Sequence, residues 1–172
     1  MKTFLIITFI LIQTIPLSFQ AGPIADGLYM IINKQSLDGL DVERASTEPG
    51  AKIIIYPPIG DVNQHFHVKN VEGNYYTIVS AKSSLAVTSY DNSVSSSLEQ
   101  HEIEGSPSSN QLFEFLEAGP GYYVIRNKAS GLYINGDSYT SISEFYYQLA
   151  IQSLNNCSED LSHLMFYFEP VW

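Results

Sequence analysis

The chain has very little cysteine: Cys157 is the only one among 172 residues, so no disulfide can form within it. Stability must come from the core instead, and Cys157 is expected to be unpaired. Positive charge is also scarce. Lysine and arginine number 8 against 18 aspartates and glutamates, for a net charge of −10. Without a basic stripe, nucleic acid and anionic membranes are poor partners. No apolar run reaches the ~20 residues that span a bilayer, so no membrane insertion is expected. The longest, Phe4–Ile15, follows the lone charge of Lys2 and is broken by Pro16, Ser18 and Ala21. That order reads as a secretory signal peptide over residues 1–21, with a secreted, extracellular product. Sustained helical periodicity is missing as well, which points to an all-β chain. The remaining length suits one domain with one core, over residues 26–172. Asn156-Cys157-Ser158 fits the N-glycosylation pattern.

What is abundant is repetition. Tyr29, Tyr76 and Tyr123 recur every 47 residues, and Phe66 and Phe113 keep the same interval. Each tyrosine opens an alternating apolar phrase: Tyr29–Ile32, Tyr76–Val79 and Tyr123–Arg126. Polar punctuation follows, beginning at Asn33, Ser80 and Asn127. A triplet comes next: Leu40-Asp41-Val42, Leu85-Ala86-Val87 and Leu132-Tyr133-Ile134. Two further strands complete each unit, at Lys52–Tyr56 and Gln64–Val68, Leu98–His101 and Gln111–Phe115, and Gln148–Gln152 and Leu164–Phe168. The repeats fall at about 27–73, 74–121 and 122–172, with an insertion at Asn155–Ser162 in the third. Period-two alternation between Gly, Pro, Ser and Asn predicts four short strands per repeat, twelve in all. Three units are too few for a propeller. They can close one barrel without exposed edges, which predicts a β-trefoil. The repeated tyrosines, with Phe66, Phe113 and Phe166, read as core.

These phrases, taken in order, resemble the ricin-B-like (R-type) lectin trefoils. The closing motif of that family, Gln-x-Trp, stands here as Gln64-x-Phe66 and Gln111-x-Phe113, and the third copy has lost its glutamine. The resemblance covers nearly all of Asp26–Trp172. It implies a sugar pocket built from an aspartate in the triplet, an aromatic on the next strand, and an Asn-Gln pair. The first repeat supplies all four: Asp41, Tyr56, Asn63 and Gln64. Ile54 departs from the family, which often has a polar residue two before the aromatic. In the second repeat Asn110 and Gln111 remain, but Ala86 takes the aspartate's place and His101 is a loose candidate for the aromatic. The third has Tyr133 there and no Asn-Gln. The resemblance therefore implies a lectin with one site, glycans or glycoconjugates of galactose type as partners, and no cofactor.

The chemistry requires these residue types. A pyranose packs its C–H face on a flat ring. A carboxylate accepts two hydroxyl hydrogens at once, and an amide both donates and accepts. Blander roles stand beside these: Asp41 as a turn aspartate, Tyr56 as a half-buried strand tyrosine, Gln64 and Gln111 as structural amides. His65 and His67 share a strand face without further metal ligands at known spacing. No paired carboxylates or nucleophile–base arrangement marks an enzyme. Two other functions remain open: a secreted trefoil protease inhibitor acting through loops such as Glu43–Gly50 and Ser89–Ser97, and a degenerate trefoil that binds protein.

Overall fold

Tyr29 and Ile31, Tyr76 and Ile78, and Tyr123 and Ile125 all pack into one core, because alternate residues of a strand face the same way. The computed structural model describes residues 20–21, 24–136, 141–143, 146–148, 150–152 and 160–172. The expected leader lies outside these residues except for Gln20 and Ala21, and Cys157 with its glycosylation pattern lies outside them entirely.

Among the described residues fifteen strands follow in order. They are β1 (Gln20–Ala21), β2 (Gly27–Asn33), β3 (Gly39–Val42), β4 (Ile53–Tyr56) and β5 (Phe66–Glu72). Next come β6 (Tyr75–Ser80), β7 (Ala86–Ser89), β8 (Leu98–His101), β9 (Phe113–Gly119) and β10 (Tyr122–Asn127). The last are β11 (Tyr133–Asn135), β12 (Ser141–Ser143), β13 (Tyr146–Gln148), β14 (Ala150–Gln152) and β15 (Met165–Pro170). Six of them close a ring: β2 pairs β5, then β6, β9, β10 and β15, which returns to β2. Closure leaves the barrel no free edge. Three hairpins, β3–β4, β7–β8 and β11–β14, cap it. Phe66, Phe113 and Phe166 are fully buried where barrel and hairpins meet. This is the β-trefoil expected from the sequence. No described helix is long and apolar enough to cross a membrane.

The structure departs from the twelve-strand expectation in two respects. The additions are β1, which pairs β9, and the β12–β13 hairpin of the third repeat, whose β13 pairs β4 of the first. The expected strand Gln148–Gln152 divides, since Gln148 pairs Ile54 while Ala150 pairs Asn135. The closing strands also begin later than expected. Gln64 and Gln111 end short 3-10 turns, Val62–Gln64 and Ser109–Gln111, and the strands start at Phe66 and Phe113. The glutamine side chains bond into preceding loops rather than lying along a ladder.

Buried asparagines tie the repeats together. Asn33 accepts Gln35 N–H and Ser36 N–H at its Oδ1, and its Nδ2 donates to His163 O at 2.9 Å, 130 residues away. Asn127 repeats the pattern with Ala129, Ser130 and Asn110. At the second position Ser80 Oγ accepts Ser83 N–H, through a shorter side chain. The first tie needs Gly136, because a Cβ there would stand 2.5 Å from Asn33 Nδ2 and 3.1 Å from His163 O. Gly136→Ala is therefore expected to cost about 2 kcal/mol, read as a lower urea midpoint at constant slope.

Candidate functional site

In the first hairpin Gly39 stands opposite Tyr56 and Asp41 opposite Ile54. Directly opposed residues share a face. Gly39, Asp41, Ile54 and Tyr56 therefore line the outer face, while Leu40, Val42, Ile53 and Ile55 fill the core. Gly39 leaves room for Ile32, whose Cδ1 lies 3.1 Å from where a Cβ would be. Tyr56 is half-buried at the end of β4, where the chain leaves through Pro57 and Pro58.

The turn Val62–Gln64 brings the other two expected residues to this face. Asn63 Nδ2 donates to Asp41 Oδ2 at 2.9 Å and lies 3.5 Å from Val42 O. Gln64 is fully buried and clamps the intervening loop. Its Nε2 donates to Pro57 O at 3.0 Å, and its Oε1 accepts Ile59 N–H at 2.9 Å and Gly60 N–H at 3.2 Å. The structure thus brings Asp41, Asn63 and Tyr56 together, with Gln64 fixing the loop behind them. The main chain of Tyr146–Gln148, from the third repeat, flanks β4 on its far side.

Asp41 is only 4 % exposed. Burial pushes its carboxyl group up to about 6. The amides of Gln64 and Asn63 pull it down, and the carboxylate of Asp61 adds to the rise. Ile54, 1 % exposed and directly across the ladder, offers it no polar partner. An ordinary turn aspartate is not held this way.

Strand register corrects the positions assigned to the other two repeats. Ile32 pairs Gly39, Val79 pairs Ala86, and Arg126 pairs Tyr133. Ala86 and Tyr133 therefore occupy the place of Gly39, and the counterparts of Asp41 are Thr88 and Asn135. Matching the triplets on their leading leucine is a slip of two residues. A two-residue slip keeps every side chain on its own face, so alternation cannot reveal it. The 47-residue interval does reveal it, since it leads from Asp41 to Thr88 and Asn135. His101 does stand in the place of Tyr56, opposite Ala86, with its Nε2 3.1 Å from Glu99 Oε2. Gln111 Nε2 donates to Glu102 O at 2.8 Å and lies 3.3 Å from Thr88 Oγ1. Asn110 Nδ2 donates to Ser89 O at 3.2 Å. In the third repeat His163 and Leu164 replace the Asn-Gln pair within Ser162–Leu164. Only the first repeat places a carboxylate at this position.

Two concavities among the described residues lie away from this face. One of about 640 Å³ adjoins Thr88, His101, Glu102 and Gln111, and one of about 490 Å³ lies over His67, Lys69 and Val79.

A closed six-stranded barrel with three hairpin caps, one of them bearing this carboxylate–amide–aromatic face, defines a β-trefoil. Residues 17–101 match the family model described as ricin-type β-trefoil lectin domain-like, and the chain is similar to that family over this stretch. Carbohydrate binding is the character of that family. Among solved structures, the designed three-fold symmetric protein ThreeFoil is similar at 26% identity over 85% of this chain and 100% of its own, with a TM-score of 0.74. The Rhizoctonia solani agglutinin is similar at 19% identity, over 87% of this chain and 100% of its own, with a TM-score of 0.67. The exo-β-1,3-galactanase 1,3Gal43A of Clostridium thermocellum is similar at 24% identity, over 87% of this chain but 31% of its own, with a TM-score of 0.72. No match to a curated protein was found.

Proposed function

We propose that the protein is an exported lectin that acts by binding, and that its carbohydrate site is the outer face of the first hairpin. The observation that carries this reading is the Asp41–Asn63 pair, 2.9 Å apart, on the same face as Tyr56. Asp41 accepts sugar hydroxyls, Asn63 both orients it and offers its own amide, and Tyr56 receives the C–H face of the ring. Gln64 holds the loop that carries Asn63. Charge-assisted bonds contribute about 1.5–3 kcal/mol each before competition from water. One shallow site of this kind binds weakly, at about 0.1–1 mM. Useful avidity would then come from several copies acting together.

The test is a glycan array probed with the folded protein and with Asp41→Ala, with galactosides among the sugars because the family resemblance points to them. Binding that disappears in the variant supports the reading. A blank array with folded protein overturns it, and inhibition of a panel of proteases would be measured next.

A further inference from the structure

The three repeats supply their own controls for the surface around Asp41. Leu37, Ser84 and Gly131 occupy one position, each with a left-handed backbone at φ 62°, 62° and 68°. Each donates its N–H to the residue four before it, Asn33, Ser80 or Asn127, at 2.9–3.0 Å. Two repeats fill this position with a small residue. The first uses leucine, in a conformation that branched side chains avoid, and leaves it 61 % exposed. Neither the core nor a hydrogen bond explains that choice.

A second position behaves the same way. Val62, Ser109 and Ser162 each begin the 3-10 turn that precedes the closing strand. Two are serine, and the first repeat has a valine that is 46 % exposed. Ile59, 60 % exposed, lies in the loop that Gln64 clamps. Leu37 leads into Gly39 opposite Tyr56, and Val62 precedes Asn63, so the two flank the Asp41 face. Exposed apolar residues scattered singly need no explanation. Tyr90 and Val94 are such residues in the second repeat, but Leu37, Ile59 and Val62 all lie on the segments that lead into the Asp41 face, and Leu37 is held in a disfavoured backbone.

The surrounding charge limits what could cover them. Asp38, Asp41 and Asp61 all lie on the segments that build this face, and the carboxylate of Asp61 is near enough to raise that of Asp41. An anionic ligand would be repelled.

We propose that this site takes an uncharged glycoside carrying an apolar aglycone, with the sugar on Asp41, Asn63 and Tyr56 and the aglycone against Leu37 and the Ile59–Val62 loop. The inference rests on the carbohydrate reading above and names its ligand class. Such a surface would reject sialylated glycans and would favour a sugar by what it is attached to.

Paired methyl and p-nitrophenyl glycosides of galactose, glucose, mannose and N-acetylgalactosamine test it by titration calorimetry. The parent protein is expected to bind the aryl member of one pair about five-fold more tightly than the methyl member. In Leu37→Gly combined with Val62→Ser, that ratio is expected to fall to about one. Both changes install residues that the same chain uses at the equivalent positions, and the glycine relieves the left-handed leucine, so the fold is not at risk. Equal binding of both members by the parent overturns this inference and leaves the lectin reading intact. A ratio that survives in the double variant overturns it too. Failure of every glycoside to bind overturns both.

Discussion

Replacing Asp41 with asparagine is expected to make the fold more stable at about pH 7.5 while weakening glycan binding by about ten-fold or more. The two effects share one cause. In the folded protein the carboxyl group sits at about 6, against 3.8 for a free aspartate, chiefly because it is buried. The folded state therefore binds this proton more tightly than the unfolded chain. The stability gained in this way is fully present below about pH 3.8 and is lost as the pH rises through about 6. The upper bound on that loss is about 3 kcal/mol. Relaxation of the surroundings about the charged group reduces it, so about 1–2 kcal/mol is expected. Asparagine keeps an oxygen for Asn63 and carries no charge. Urea unfolding from about pH 4 to about pH 8 should show the parent losing stability with pH and the variant losing less. A neutral-pH loss of stability in Asp41→Asn would mean that the carboxylate serves the fold. A gain, together with lost binding, would mean that the fold tolerates a costly group which serves the ligand.

Asn127→Ala is expected to cost about 3 kcal/mol. Asn127 is fully buried, and its amide donates to Asn110 O at 3.0 Å and Leu112 O at 3.4 Å. Its carbonyl accepts Ala129 N–H, Ser130 N–H and Ser130 O–H at 3.1–3.2 Å. Truncation strands donors and acceptors on both the second and the third repeat. Ser80→Ala, at the equivalent position, removes one bond of 3.3 Å and should cost about 1 kcal/mol or less. Urea midpoints of the two variants decide the matter. Equal losses would show that the asparagine contributes no more than a local turn.

The fold was legible because its signal is periodic. Tyr29, Tyr76 and Tyr123, with Phe66 and Phe113, announced three units, and their burial follows from alternation. The role of Asn33 and Asn127 was hidden: each looked like turn punctuation, yet each reaches across to a turn that ends another repeat's loop. Only the shared interval of 47 connects them with Ser80. Asp41, Tyr56, Asn63 and Gln64 were gathered from the family resemblance, and the structure places them on one hairpin and its following turn. Register was easy to misread. Matching leucine to leucine puts Ala86 and Tyr133 where Thr88 and Asn135 belong, although the 47-residue interval leads to the right pair, and pairing to β2, β6 and β10 confirms it. The β12–β13 hairpin was hidden for another reason: its partner, β4, lies about ninety residues away, and no local pattern encodes such a pairing.

That pairing also sets an order of events. Every residue of the Asp41 face has been synthesised by Gln64, long before its neighbours. β2 waits for Met165–Pro170, Asn33 waits for His163, and β4 waits for Tyr146–Gln148. A nascent chain stopped after the second repeat would therefore display Asp41 and Tyr56 on a hairpin that lacks β13, beside a β2 that lacks β15. Contacts this distant make folding slow, because the loop they close must first be brought together. The ligand face matures last although it is made first, so ribosome-released chains should gain binding only when they gain their cooperative fold.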